Sequence, residues 1–263
     1  MRGVSAAVVY WIELVSALAA LQRGLTAVKF HPSVLAVRRM RKSMVDAIPS
    51  LRMRLDHRRR AALAREFREC VSVADCIAFT QRHMASGSCQ IPSEVDAAIR
   101  HIGQVRPRVM CEIGTFDGGT SLLFSRFLPS VELMICIDLY VKNKAMIRLL
   151  APRGQTLHFI DAPSYAAGTV QRVRRLLGGR QIDALFIDGD HRYEGVKRDF
   201  VCYRPFVRDG GIVLFHDIVP DDGGRAWAGG VPLLWRELSP RFRHREFIDN
   251  PGQAGYGIGA LTV

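Results

Sequence analysis

The chain has 263 residues, enough for one large domain and an appendage, and 48% hydrophobic with 24% charged residues excludes a disordered polar chain. Its formal net charge of +12 is unevenly spread: residues 1–60, with 12 bases and three acids, hold +9, and the rest only +3, so the larger part lacks the basic field of a nucleic-acid binder. Six cysteines without a Cys-x-x-Cys pair exclude a zinc ribbon and read as small core residues of a reducing compartment, Cys111 and Cys136 inside predicted strands.

The first element is the run Val4–Leu21, with Glu13 its one charge. Its length is the lower limit for a membrane span, and a central glutamate is costly in lipid. Ser5, Glu13 and Ser16 fall along one stripe at helical spacing, so a helix packed on protein or lying in an interface competes with a span. Ala17-Leu-Ala19 also has the form of a signal cleavage site. A basic arm follows, dense from Arg38 to Arg60. It suits an acidic membrane surface and, behind a span, would keep the next domain cytoplasmic. No aromatic residue interleaves with these arginines, which argues against nucleic acid.

Residues 61–105 read as a helical cap. Ala61–Cys70 has helical periodicity, and the stretch 91–102 carries apolar residues at 95, 98, 99 and 102 with Ser93 as its expected capping serine. The third section, 106–263, opens with an apolar strand, Val109–Ile113, a glycine turn at Gly114, Gly118 and Gly119, and a helical pattern over 121–128. Four more apolar runs end in acids: Met134–Asp138, Leu157–Asp161, Ile182–Asp188 and Gly211–Asp217. Strands alternating with helices predict a Rossmann-like, doubly wound α/β sheet, with ligands at its carboxyl edge. The loop 218–231 is glycine-rich, holds Trp227 and is the candidate substrate lid. A helix over 232–238 and strands over 244–248 and 256–263 close the chain as a hairpin with one strand antiparallel, and the helical appendage precedes the sheet.

The turn decides the nucleotide. A dinucleotide fold needs Gly-x-Gly-x-x-Gly, and its absence disfavours a nicotinamide oxidoreductase. Here the pattern is Glu112-x-Gly114-x-x-x-Gly118, with Asp138 following 24 residues after Gly114. It resembles motif I of class I methyltransferases that use S-adenosylmethionine. The runs Asp188-Gly-Asp-His-Arg-Tyr-Glu-Gly-Val196 and Gly210-Gly-Ile-Val-Leu-Phe-His-Asp217 extend the likeness. They resemble the metal-associated O-methyltransferase group related to cephalosporin-hydroxylase-like and macrolide-sugar methyltransferases. That resemblance covers roughly residues 90–263.

It implies methyl transfer from S-adenosylmethionine to a hydroxyl oxygen of a small molecule of sugar, polyketide or phenol type. Glu112, Gly114, Thr115, Gly118, Asp138, Asp161 and Asp188 would line the cofactor, Asp138 at the ribose and Asp161 near the adenine. Asp188, His216 and Asp217 end neighbouring strands and would hold a divalent cation. Magnesium is the expected ion, as in an all-oxygen site, with manganese, iron or zinc as alternatives if the His216 imidazole is a ligand. His191, three residues beyond Asp188, is the expected general base. The alternative is a non-catalytic cofactor-binding or membrane-tethered scaffold protein on the same fold, which would have no need of the 188/191/216/217 cluster. A homo-oligomer is compatible with the sequence.

Overall fold

The computed structural model describes residues 57–221 and 227–263. The run Val4–Leu21 and the arm up to residue 56 lie outside the described residues. Among the described residues, no helix is long and apolar enough to cross a membrane.

Seven strands form one sheet: β1 (Val109–Ile113), β2 (Leu133–Asp138), β3 (Thr156–Asp161), β4 (Ile182–Ile187), β5 (Val207–His216), β6 (Arg243–Phe247) and β7 (Ile258–Thr262). Their order is β3-β2-β1-β4-β5-β7-β6. The first five are parallel, and β7 runs antiparallel to both β5 and β6. The strand order reverses between β1 and β4, which opens a crevice at their carboxyl ends.

Period-two alternation sends the side chains of the five parallel strands into two cores. Met110, Met134, Cys136, Phe186 and Leu214 face one side. That face is covered by α1 (His57–Glu69), α2 (Val73–His83), α3 (Pro92–Gly103), α4 (Gly119–Phe127) and α5 (Lys144–Leu150). Val109, Cys111, Ile135, Leu185 and Phe215 face the other, under α6 (Ala167–Leu177), α7 (Tyr193–Tyr203) and α8 (Val231–Leu238). Because both faces are buried, β2 reads as an apolar run closed by Asp138, and β1 as an apolar run interrupted by the buried Glu112, rather than as alternating strands.

The helix over 91–102 forms as expected, but Ser93 does not cap it. The cap position is Ile91, without a side-chain hydrogen bond, and Pro92 stands at the first turn, where its missing N–H costs nothing. The Ser93 hydroxyl instead donates to Asp249 Oδ1 in the β6–β7 loop. The buried Glu94 beside it accepts from Asp249 N at 3.2 Å, Gln253 Nε2 at 2.7 Å and Gly257 N at 2.9 Å. The start of α3 therefore fastens the C-terminal hairpin loop to the helical layer. A true capping box lies upstream at α2, where Ser72 Oγ accepts from Asp75 N and Asp75 accepts from Ser72 N.

Candidate active site

The crevice is built on the crossing of two chain segments. Asp188 N donates to Ile113 O at 2.8 Å, and Gly114 leaves β1 with φ 92°. A Cβ on Gly114 would lie 1.8 Å from the Asp188 carbonyl oxygen, so only glycine allows β1 and β4 to pass this closely. Glu112 lies under the turn with no exposure. Its Oε2 accepts from Thr115 Oγ1 at 3.0 Å and from Ser121 Oγ. Burial pushes its carboxyl up to about 8, against those two hydrogen bonds. Glu112 and the buried Thr115 thus support the turn from beneath, tying it to α4.

On the β2 side, Asp138 and Asp161 are register partners at the ends of adjacent strands. Asp138 accepts from Phe116 N at 2.8 Å and Tyr140 N at 3.0 Å. Asp161 accepts from Val141 N at 2.9 Å and pairs with Lys144. The two carboxylates are half-buried and oriented by backbone donors, which suits them to receive hydroxyl or amine donors from a ligand.

On the β5 side, four chemistry-bearing side chains meet. His191 Nε2 is 3.3 Å from Asp188 Oδ1, and His216 Nδ1 is 3.3 Å from the same oxygen. Asp217 Oδ2 is 3.2 Å from His216 Nδ1 and 3.4 Å from His191 Nδ1. Asp217 reaches this position because its backbone turns at φ 63°, a strained value for a non-glycine residue. One ligand atom each from Asp188, His191 and Asp217 lie within 4.8 Å of one another. His216 is buried; its Nδ1 is paired with the two carboxylates, and its Nε2 has no hydrogen-bond partner among the described residues.

Charge explains the protonation of this cluster. The hydrogen bond and charge of Asp188 outweigh burial and hold the His191 imidazole up at about 9. Burial opposes the charged form of His216, yet Asp188 and Asp217 hold it well above the usual imidazole range. Burial would raise Asp188, but the two imidazoles keep it below the ordinary carboxylate range. Two carboxylates facing two imidazolium rings carry no net charge. A divalent cation replacing the two imidazolium protons leaves the same balance, so the donor set fits such an ion.

The tautomer of His191 is also fixed. Its Nδ1 is 2.5 Å from the Trp227 carbonyl oxygen, which can only accept, so Nδ1 carries a hydrogen and Nε2 is the nitrogen that exchanges protons. The far end of the candidate lid is thereby tied to the His191 loop. Gly230 N also donates to His191 O at 2.7 Å. Residues 222–226 of the lid lie outside the described residues.

Sequence reasoning brought Asp188, His191, His216 and Asp217 to one sheet edge, and the structure places them in mutual contact. It missed Gln90, whose Nε2 donates to Asp188 Oδ2 at 3.1 Å from a loop 98 positions away. Nothing in the spacing of a loop residue before a proline signals such a contact.

Residues 111–218 match a family described as a methyltransferase domain. This stretch is thus similar to a methyltransferase domain. The matched span runs from the middle of β1 to just past the His216–Asp217 pair, and so holds the whole glycine turn and the four-residue cluster. Over 114 residues the chain is 33% identical to an uncharacterized protein of Acanthamoeba polyphaga mimivirus, covering 40% of this chain and 49% of that one. It thus spans about half the length of the curated relative it matches. Among solved structures, the chain shares its fold with the O-methyltransferase TomG from Streptomyces achromogenes, involved in tomaymycin synthesis and solved with S-adenosylmethionine. That likeness has a TM-score of 0.53 at 16% identity and covers 74% of this chain and 91% of TomG. An O-methyltransferase from Bacillus cereus, solved with S-adenosylhomocysteine, gives a TM-score of 0.52 at 13% identity, with 74% and 92% covered.

Proposed function

We propose that the protein transfers a methyl group from S-adenosylmethionine to a hydroxyl oxygen of a small molecule, with a divalent cation held by the cluster at the ends of β4 and β5. The observation that carries this reading is the contact of Asp188, His191, His216 and Asp217 beside the glycine turn, with the buried Nε2 of His216 lacking a hydrogen-bond partner among the described residues. A buried polar group without a partner is costly, and a ligand that supplies one relieves the cost. The scaffold alternative gives no account of that expense.

The turn Gly114–Gly118, Asp138 and Asp161 would hold the methyl donor, Asp138 at the ribose and Asp161 at the adenine, with Asp188 at the inner end. Glu112 and Thr115 act by shaping the turn. Asp188, Asp217 and the His216 imidazole would hold the cation, and the nitrogen ligand opens the site to manganese, iron or zinc beside magnesium. When bound, the cation lowers the pKa of a nearby hydroxyl and offsets the carboxylate charge that keeps the imidazoles protonated. His191, its Nδ1–H fixed on the Trp227 carbonyl, presents Nε2 to the cavity as the group that takes the acceptor's proton. The sheet edge holds donor and acceptor in line, so positioning supplies a large part of the acceleration. Sugar, polyketide and phenol hydroxyls are the acceptor classes to screen.

Calorimetry tests the donor site, with S-adenosylhomocysteine binding weakened at least roughly tenfold in Asp138→Ala, as expected for a lost charge-assisted hydrogen-bond acceptor. Asp188→Ala should abolish transfer in an acceptor screen while changing cofactor affinity less. Binding of NAD without binding of S-adenosylmethionine would overturn the reading, and full transfer in excess chelator would remove the cation from it.

A further inference from the structure

We propose that Gln90 is a positioning residue that fixes the Asp188 carboxylate so that Oδ1 alone is offered to the cation site. This rests on the cation reading above and deepens it. Gln90 is 7% exposed, and its amide is oriented by necessity. Nε2 donates to Asp188 Oδ2 at 3.1 Å, and the flipped amide would set two acceptors against each other. With Oδ2 occupied, Oδ1 is the oxygen that faces both His191 Nε2 and His216 Nδ1.

The glutamine does not serve packing or stability well. Its Oε1 is buried and has no partner among the described residues, and an orphaned buried acceptor costs about as much as the single hydrogen bond to Asp188 returns. An apolar side chain of the same length would fill this space without that cost. What the amide supplies instead is orientation of a carboxylate, the usual role of a side chain behind a metal ligand.

The loop that carries Gln90 is held by the glycine turn and by α2. Ser86 N donates to the buried Asp117 Oδ2 at 2.6 Å, and Ser88 N donates to Thr80 Oγ1 at 3.0 Å. The backbone of Gly87 and Ser88 packs on Gly119, where a Cβ would come within 2.5 Å of Ser88 N. The first turn of α3 begins two residues after Gln90. Asp188 is therefore steered by a segment anchored to the glycine-turn helix, so cation geometry and cofactor turn share one support.

The test uses the full chain, with Mn²⁺ as probe, and the variants Gln90→Met and Gln90→Asn. Methionine keeps length and volume without the donor, and asparagine keeps the amide but is one methylene too short to reach. Mn²⁺ affinity, read by electron paramagnetic resonance or calorimetry, should weaken about 10- to 100-fold in both, the range seen when a partner behind a metal ligand is lost. The melting temperature of the chelator-treated Gln90→Met protein should be unchanged or higher. A purely structural role predicts the reverse, a lower melting temperature with Mn²⁺ affinity intact, and that result overturns the proposal. If the wild-type protein binds no Mn²⁺, the cation reading fails and the Gln90 role with it. If wild type binds and both folded variants bind equally well, the Gln90 role alone fails.

Discussion

Asp199 offers the most quantitative test of the folded state. It lies on α7 with no exposure, directly behind Gly189 of the Asp188 loop. Its Oδ1 accepts from Ser164 Oγ, while Oδ2 has no partner among the described residues. Burial pushes its carboxyl from 3.8 up to about 7, against the Ser164 hydrogen bond and with help from the nearby Asp190 charge. A raised folded-state value means that the folded chain binds this proton more tightly than the unfolded chain. Stability therefore falls as pH rises from about 4 to about 7, and the full penalty is present above that window. At about 1.4 kcal/mol per pKa unit, that rise gives a penalty of about 4 kcal/mol, an upper figure. The substitution Asp199→Asn removes the ionisation and with it the penalty. The new amide nitrogen then sits where Oδ2 had no partner, which returns about 1–3 kcal/mol of the gain. At pH 5, where about 1.6 kcal/mol of the penalty is already present, Asp199→Asn should be close to wild type in stability, and at pH 8 it should be more stable by about 1–3 kcal/mol, or a few degrees of melting temperature for a chain this size. The assay is urea denaturation of both proteins in chelator across pH 5–8. Parallel pH curves for the two would refute the buried-acid argument.

Three further outcomes follow from the site. Mn²⁺ binding should release protons and tighten with rising pH up to about 9, because the His191 imidazole holds its proton below that value; calorimetry in buffers of different ionisation enthalpy counts them, and binding without release would place the ion elsewhere. Gly114→Ala should abolish cofactor binding or folding, since its Cβ would sit 1.8 Å from the Asp188 carbonyl oxygen; a folded variant with wild-type affinity for S-adenosylhomocysteine would contradict the crossing geometry. Glu94→Gln turns one N–H donor against the donors of the β6–β7 loop and should cost about 1–3 kcal/mol; a thermal melt reads it, and no change would mean that the loop is held by other contacts.

How far the sequence reached follows from which interactions are local. The parallel strands were legible because each is buried on both faces, leaving an apolar run that an acid terminates where the chain meets solvent. β5 is the instructive exception. The run was read from Gly211, but the strand starts at Val207, which pairs with Ile182 before a register shift that takes up Arg208–Gly211, residues whose composition signals a turn. The four-residue cluster was legible for a similar reason: 188 and 216 end adjacent parallel strands, so sheet topology alone brings them together. The contacts that hold those groups in place were not legible. Ser93 looked like a cap because capping is a local rule, yet its partner Asp249 is 156 positions away. Trp227 was noted as part of the candidate lid, but the atom that reaches His191 is its backbone carbonyl, which any residue there would supply. Gln90 meets Asp188 from a loop with no periodicity to mark it. Strand ends converge by topology and can be read from pattern, whereas the donors that orient their carboxylates come from loops whose path is set by packing. For this reason the Gln90 variants separate two levels of the site. If Asp188 alone determines cation affinity, the information that builds the centre is in the strands; if Gln90 changes it, part of that information lies in the helical cap, some 98 residues earlier in the chain.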